Sequence, residues 1–345
     1  MTRDTGRRAA AVEALWRRDA LGTRLLAPAG WLYAAGTWVR NGLYDLGLAR
    51  AHALGLPAVS VGNLSVGGTG KTPISAWVAQ WFEAKGLRPG ILLRGYGDDE
   101  PLVHRRLTPG AVVVAAADRV TGAAAARGEG AQVLVLDDAF QHRRARRDVD
   151  LVLLSADWRG SMRPLPAGPF REGLGALRRA DGIIVTRKQA DPDEADAVLR
   201  RARPHVGGDV AAIVHLAPGD LVAVAGASVV PRRPLADLRG ARVLAISAIG
   251  DPAAYAGQLA ALGAAVEAAA YPDHHAFTAE DAATLARRGA AVDVVVCTLK
   301  DAVKLEGRWP AQAPPLWYLS QAVRVERGGA ELDALLGRSA AAGAP

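Results

Sequence analysis

The sequence predicts an α/β protein of two α/β/α domains with largely parallel sheets, the C-terminal domain being the smaller. Three observations carry that expectation. The 345 residues exceed one ordinary compact domain and suit two. From residue 57 onward, short continuous apolar runs alternate with stretches long enough for helices. Such runs, apolar at successive positions rather than at every second one, are the mark of parallel strands covered on both faces. The alternation breaks once, at a Gly- and Pro-punctuated stretch from about Pro218 to Arg239 that reads as a linker or hairpin rather than a helix, and then resumes.

These features divide the chain into a basic aromatic segment (1–50), a larger domain (51–220), a linker or hinge (221–240), a smaller α/β domain (241–335) and an alanine-rich tail (336–345) expected to be disordered. Half of the residues are hydrophobic, enough to give each domain a core. Cys297 is the only cysteine. An intramolecular disulfide is therefore impossible, and a reducing compartment is expected.

The net charge of +7 calls for an anionic partner, whether nucleic acid, phosphorylated substrate or acidic lipid. Its distribution helps to choose. Residues 1–50 carry eight arginines against four acids, together with Trp16, Trp31, Tyr33, Trp38 and Tyr44. The uncharged core of this segment, Leu25 to Val39, holds 15 residues, short of the about 20 that a membrane-spanning helix needs. No small-residue cleavage site follows it, so it does not read as a signal peptide. Aromatics interleaved with arginines suit a helix lying in the headgroup layer of an anionic membrane. The other reading is a helix packed on the core with a solvated basic face. No nucleic-acid module accompanies the charge, so nucleic acid is not expected as a partner, and no obligate protein partner is evident.

Strands are expected at Ala58–Gly62, Gly90–Leu93, Ala111–Ala115, Gln132–Leu136, Asp150–Leu154, Gly182–Thr186 and Ala211–Val214. In the second domain the expected order is strand Arg242–Ile246, helix Pro252–Leu262, strand Ala265–Ala269, a helix from Thr278 with a capping-box start, and strand Val292–Cys297.

The first of these strands runs into "GNLSVGGTGKTP", a glycine-rich turn from which a helix opens. Ser65, Val66, Gly67, Gly68, Thr69 and Gly70 would wrap backbone amides around an anion, aided by the positive end of the helix. Lys71 would add a point charge at the β- and γ-phosphates, and Thr72 a hydroxyl ligand for Mg²⁺. The pattern G-x-x-x-x-G-K-[ST] asks for glycine at position 65, where this chain has serine. The larger domain is therefore expected to be P-loop NTPase-like.

A second acidic element belongs on a neighbouring strand, and "VLVLDDAFQH" supplies Asp137 and Asp138 at a strand's C-terminal end. There they would hold Mg²⁺ directly or through its waters, or one of them would cap the next helix. A guanine nucleotide would ask for [NT]-K-x-D after a strand. The nearest segments, "TRKQ" and "TLKD", lack lysine directly after threonine, so ATP is favoured.

The succession "VGNLSVGGTGKTP", "LLRGYG", "DDEPL", "VLDDAFQH", "LPAGPFREG", "YPDHHAFT" and "TLKDAVKL" spans residues 59 to 305. In this order it resembles the tetraacyldisaccharide 4′-kinase family of lipid A biosynthesis, and "LPAGPFRE" and "PDHH" are not general features of phosphate-binding loops. The resemblance implies transfer of the ATP γ-phosphate to the 4′-hydroxyl of a tetraacylated glucosamine disaccharide 1-phosphate. It also implies peripheral attachment to the cytoplasmic face of the bacterial inner membrane. By the same resemblance Asp99 is the base that accepts the hydroxyl proton, and His274 is its partner, delivered by closure of the second domain. Arg171 and Glu172 lie near the active site, with Arg171 gripping a phosphate; its other reading is an ion pair with Glu172 or Asp181. Arg119, Gln141 and His142 are weaker candidates. The chain departs from the family pattern between Gly97 and Asp99, where the connecting stretch is shortened, and at Leu299, where glutamate is usual. Rival readings are another P-loop lipid or sugar kinase, and an ATP-driven switch or chaperone without a hydroxyl acceptor.

Overall fold

A computed structural model describes residues 12, 15–16, 21–95, 99–225 and 231–343. The chain forms two compact units, one built from Glu13–Leu216 with Val323–Pro345 and the other from Ala217–Ala322.

The larger unit holds a parallel sheet. In chain order its strands are β1 (Ala58–Asn63), β2 (Pro89–Leu93), β3 (Val112–Ala115), β4 (Val133–Asp137), β5 (Val149–Ser155), β6 (Gly182–Arg187) and the first half of β7 (Val210–Ala225). They lie side by side as β7-β6-β5-β1-β4-β2-β3, and every neighbouring pair is parallel. Each residue of β1, β2 and β4 is buried, as continuous apolar runs require. Alternate residues serve opposite faces. Val59, Val61, Val133 and Val135 pack with Ile74, Val78 and Phe82 of helix Lys71–Ala84, while Ala58, Leu134 and Leu136 pack with Ala123 and Ala126 of helix Arg119–Gly128.

In the smaller unit, β8 (Arg232–Arg233) pairs antiparallel with β7. β9 (Arg242–Ser247), β10 (Ala265–Ala270), β11 (Val294–Cys297) and the first half of β12 (Leu316–Arg327) run parallel in the order β10-β9-β11-β12. Val243 and Ala245 face Tyr255 and Leu259, while Leu244 and Ile246 face Leu285 and Leu305. The helix Ala279–Gly289 opens with a capping box in which Thr278 Oγ1 receives the Asp281 N–H and the Asp281 carboxylate receives the Thr278 N–H.

Three expectations are corrected. Of the linker or hairpin expected at 218–239, the structure has the antiparallel pairing of β7 with β8 and, among the described residues, no separate linker. The chain passes between the units twice, inside β7 and again inside β12. Pro218 is accommodated in β7 because it falls between the pairing with β6, which reaches His215, and the pairing with β8, which begins at Leu221. Gly219 is needed there, since a Cβ would come within 2.5 Å of Ser320 Oγ. Second, the tail from 336 is ordered through a helix, Gly329–Gly343, in which Leu332, Leu335 and Leu336 are buried in the core of the larger unit. Alanine favours helix once such anchors exist. Third, β12 was not expected at all.

The N-terminal segment forms helices Leu21–Leu25 and Ala27–Asp45, with Pro28 in the first turn of the second, where its missing N–H costs nothing. The second helix is turned against the usual rule. Gly30 and Asn41 are buried, and Ala27, Ala34, Thr37 and Tyr44 are half-buried on the same stripe. The bulky apolar residues face outward, with Trp31 69%, Leu32 76% and Trp38 74% exposed. No described helix is long and apolar enough to cross a membrane.

Candidate active site

The strand–turn–helix expected at residues 58–84 is present, and its turn is held from three sides. Asn63 Nδ2 donates to Thr69 Oγ1 across the loop at 2.8 Å, and Thr186 Oγ1, at the end of β6, donates to the Thr69 carbonyl at 2.8 Å. Gly70 caps the helix with a left-handed backbone (φ 86°), and Gly67 also has positive φ (113°). Ser65, where the usual pattern has glycine, forms an antiparallel bridge with Phe170 and does not have positive φ, so a side chain is tolerated there.

That bridge belongs to a wider contact. The segment "LPAGPFREG" lies along the loop, with Val66 N donating to the Pro169 carbonyl at 2.8 Å and Arg171 N to the Leu64 carbonyl at 2.7 Å. Arg171 is thereby aimed at the end of β4. Its guanidinium donates to both oxygens of Asp138, at 2.8 and 3.1 Å, and to Gln141 Oε1 at 3.2 Å. The ion pair of Arg171 is therefore with Asp138, not with Glu172 or Asp181. Lys71 Nζ lies 3.8 Å from the same Asp138 carboxylate. Burial pulls the Lys71 pKa down while Asp138 pushes it back up, and the net direction is downward. Asp138 has φ 51° and donates its N–H to the Val61 carbonyl, so it turns the chain at the strand end instead of capping a helix. Asp and Asn tolerate that conformation better than bulky residues.

Asp137 is the buried partner. Ser75 Oγ donates to its Oδ1 at 3.1 Å, and His104 Nε2 lies 2.9 Å from its Oδ2. Burial would raise its pKa, but the His104 contact, Lys71 and Ser75 together hold it below the ordinary carboxylate range. Arg119 is fully buried and donates to the Ala116 and Asp137 carbonyls at 2.8 and 3.2 Å. Its burial lowers its pKa against the pull of Asp137 and Asp138. His104 and Ser75 were missed in the sequence, and nothing local marks them: the first is one histidine in an arginine-rich helix, the second a serine on an apolar face.

The donor set of Thr72, Asp137 and Asp138 is oxygen only. Both carboxylates already accept hydrogen bonds from the protein, and no group of three His, Cys, Asp or Glu among the described residues could cage a metal ion. Such a set fits Mg²⁺, which keeps several waters and takes phosphate oxygens alongside one or two carboxylates.

Asp99 is buried at the first position of helix Asp99–Leu107, whose next residue, Glu100, acts electrostatically on Lys71 and Arg119. The shortened stretch preceding it, residues 96–98, lies outside the described residues. Glu172 does not join the cluster. It accepts Asn41 Nδ2 at 2.6 Å and Arg179 Nη2 at 3.1 Å, which ties the N-terminal helix to the unit. Arg40 Nη2 donates to the Gln141 carbonyl at 2.7 Å, and Gln141 Nε2 to the Asn63 carbonyl at 2.9 Å. His142 is half-buried, and that burial, with nearby arginines, lowers its pKa.

His274 belongs to the smaller unit. It has φ 58°, donates its N–H to the Ala248 carbonyl at 3.2 Å, and its Nε2 stands 3.9 Å from Asp273 Oδ1. Its loop is anchored by buried Asp301, whose Oδ2 accepts the Ala248 N–H at 3.0 Å and Thr298 Oγ1 at 2.6 Å.

A family model described as tetraacyldisaccharide-1-P 4′-kinase, LpxK, matches residues 22–98 and 97–340. Its two pieces meet where the sequence reading finds the connecting stretch shortened. A tetraacyldisaccharide 4′-kinase of Halorhodospira halophila is 37% identical over 329 residues, covering 89% of this chain and 91% of its own. One from Anaeromyxobacter dehalogenans is 38% identical over 365 residues, covering 94% of each. The crystal structure of Aquifex aeolicus LpxK in complex with ATP superposes with a TM-score of 0.72 at 29% identity, covering 92% of this chain and 99% of that one.

Proposed function

Because this chain belongs to the tetraacyldisaccharide 4′-kinase family, we propose that it transfers the γ-phosphoryl group of ATP to the 4′-hydroxyl of a tetraacylated glucosamine disaccharide 1-phosphate. The observation that carries this reading is the convergence of a glycine loop, Lys71, Arg171 and the Asp137-Asp138 pair at the C-terminal ends of β1 and β4.

In this mechanism the loop amides and the helix N-terminus receive the phosphates. Lys71 offsets the charge that builds on the β- and γ-oxygens. Its ammonium is held by Asp138, so the charge is in place before nucleotide arrives. Arg171 has its fork fixed by Asp138 and Gln141, which pre-aims it for a phosphate oxygen. Thr72, Asp137 and Asp138 are the residues that would hold Mg²⁺, which would supply Lewis-acid stabilisation of the phosphate charge. A sugar hydroxyl is a weak nucleophile, and Asp99 takes its proton as the new O–P bond forms and the bond from the γ-phosphorus to the β–γ bridging oxygen breaks, releasing ADP. His274 is the partner that the resemblance gives to Asp99.

The acceptor is a lipid, so the enzyme has to work where lipids are. The outward Trp31, Leu32 and Trp38 suit insertion among headgroups, with Arg24, Arg40 and Arg50 drawing the helix to an anionic surface. The site of action is then the cytoplasmic face of the bacterial inner membrane, with peripheral attachment. Asp99→Ala tests the base assignment. Its kcat should fall while ATP binding, measured by calorimetry, stays as in the wild type. Full activity in that variant removes Asp99 from the mechanism.

A further inference from the structure

A side chain of the helix that opens with Asp99 reaches the carboxylate end of β4. His104 is fully buried, and its Nε2 lies 2.9 Å from Asp137 Oδ2. It sits on the inward face of the helix with Asp99 and Val103, and Thr108 Oγ1 donates to its carbonyl at 2.7 Å, fastening the helix end. The other carboxylate oxygen of Asp137 accepts from Ser75, on the helix that follows the glycine loop. The backbone carbonyl of Asp137 accepts from Arg119, on a third helix. One aspartate is thus clamped by side chains from three helices, and only the His104 clamp leads to the helix of the proposed base.

An ionised carboxylate only accepts, so the Nε2 atom is the one that carries the proton toward Asp137. The contact leaves the Asp137 carboxylate little rotational freedom. A buried carboxylate without it would keep Ser75 alone and turn about that bond.

We infer that His104 is a positioning residue for the kinase reaction, fixing the orientation of the Asp137 carboxylate and tying it to the helix that begins at Asp99. This rests on Asp137 serving the nucleotide–metal site, as in the reading above. The residue is fully buried. It acts on the nucleotide's metal through Asp137, and on the base through the helix that both share.

The test uses the full chain with ADP and Mn²⁺, the metal read by electron paramagnetic resonance, alongside steady-state kinetics. Groups that orient a metal ligand typically matter by about 10- to 100-fold in metal affinity or activity. His104→Leu should therefore weaken Mn²⁺ binding to the ADP complex and lower kcat by factors in that range, with KM for ATP little changed. His104→Gln places an N–H near the Nε2 position and should recover most of both. His104→Asn, whose amide is too short to reach Oδ2, should not. Wild-type Mn²⁺ affinity in His104→Leu would overturn the inference. So would equal behaviour of the Gln and Asn variants, a comparison that still decides the matter if the Leu variant does not fold. The Mn²⁺–ADP measurement needs no lipid, so a wrong acceptor assignment would leave it standing.

Discussion

Replacing Gly70 by alanine separates what the phosphate loop's backbone costs from what its packing costs. Gly70 has φ 86° and ψ 24°, and a Cβ built there would lie 2.3 Å from Leu216 Cδ1. The left-handed conformation costs a non-glycine residue roughly 1–2 kcal/mol, and overpacking a filled site adds about 1–3 kcal/mol. Gly86 provides the comparison, with φ 78° and no atom within 4 Å of its Cβ position, so Gly86→Ala carries the strain alone. Thermal unfolding should place Gly70→Ala well below Gly86→Ala. At roughly 2–4 °C per kcal/mol for a unit of this size, the gap is several degrees. Trimming Leu216 to alanine should narrow it, because the two side chains would then no longer collide. Catalysis should follow the same order. The amides of Lys71 and Thr72 follow Gly70 directly, so Gly70→Ala should raise KM for ATP while Gly86→Ala leaves it alone. Equal melting temperatures for the two variants would refute the reasoning, since they would show that Leu216 does not pack against the loop.

Other outcomes follow from the same geometry. Arg171→Ala removes the guanidinium that Asp138 holds at two points and should lower kcat/KM by about 10- to 100-fold, the loss of one charged hydrogen bond to a phosphate oxygen at about 1.5–3 kcal/mol. Arg171→Lys restores the charge but not the fork and should recover only part, as initial-rate kinetics would read. Changing both Trp31 and Trp38 to serine should weaken binding to anionic vesicles by more than tenfold, at roughly 2 kcal/mol for each buried side chain. Its melting temperature should not move, because both rings are exposed. Asp281 has its carboxyl held below the usual range, first by the Thr278 N–H, so its contribution is complete above the unfolded value and lost as pH falls through the folded one. Asp281→Asn should therefore lose less stability than the wild type in melts taken from pH 5 down to pH 3, and parallel profiles would contradict that.

The phosphate loop and β4 were legible because local sequence alone decides them: an apolar run, glycines where the backbone turns left-handed, and acids at a strand's end. β12 was not. Its buried first half, "LWYL", is a short apolar run behind a proline-rich stretch, and "QAVRVER" mixes half-buried and exposed positions, so nothing announces a strand of this length. The C-terminal helix was hidden by its composition, since alanines say little until Leu332, Leu335 and Leu336 find a core. The N-terminal helix was legible in length and composition, but its orientation was not. The polar grip of Asn41 on Glu172 and of Arg143 on Asp45, with Gly30 close against Pro164 and Ala167, shows which stripe faces the protein. His104 escaped for a related reason, and Arg119 was a candidate by resemblance alone. A buried polar side chain is defined by its partner, and theirs comes from β4, 33 and 18 residues away in the chain.

The central claim is that the groups gathered around Lys71 move a phosphoryl group from ATP onto a lipid-borne sugar. Incubating the full chain with γ-labelled ATP, Mg²⁺ and the tetraacyldisaccharide 1-phosphate, then separating the organic extract by thin-layer chromatography, tests it directly. Label should appear in a lipid product in proportion to enzyme and be absent with Lys71→Ala. Label released only as inorganic phosphate, with the lipid unmarked, would contradict it.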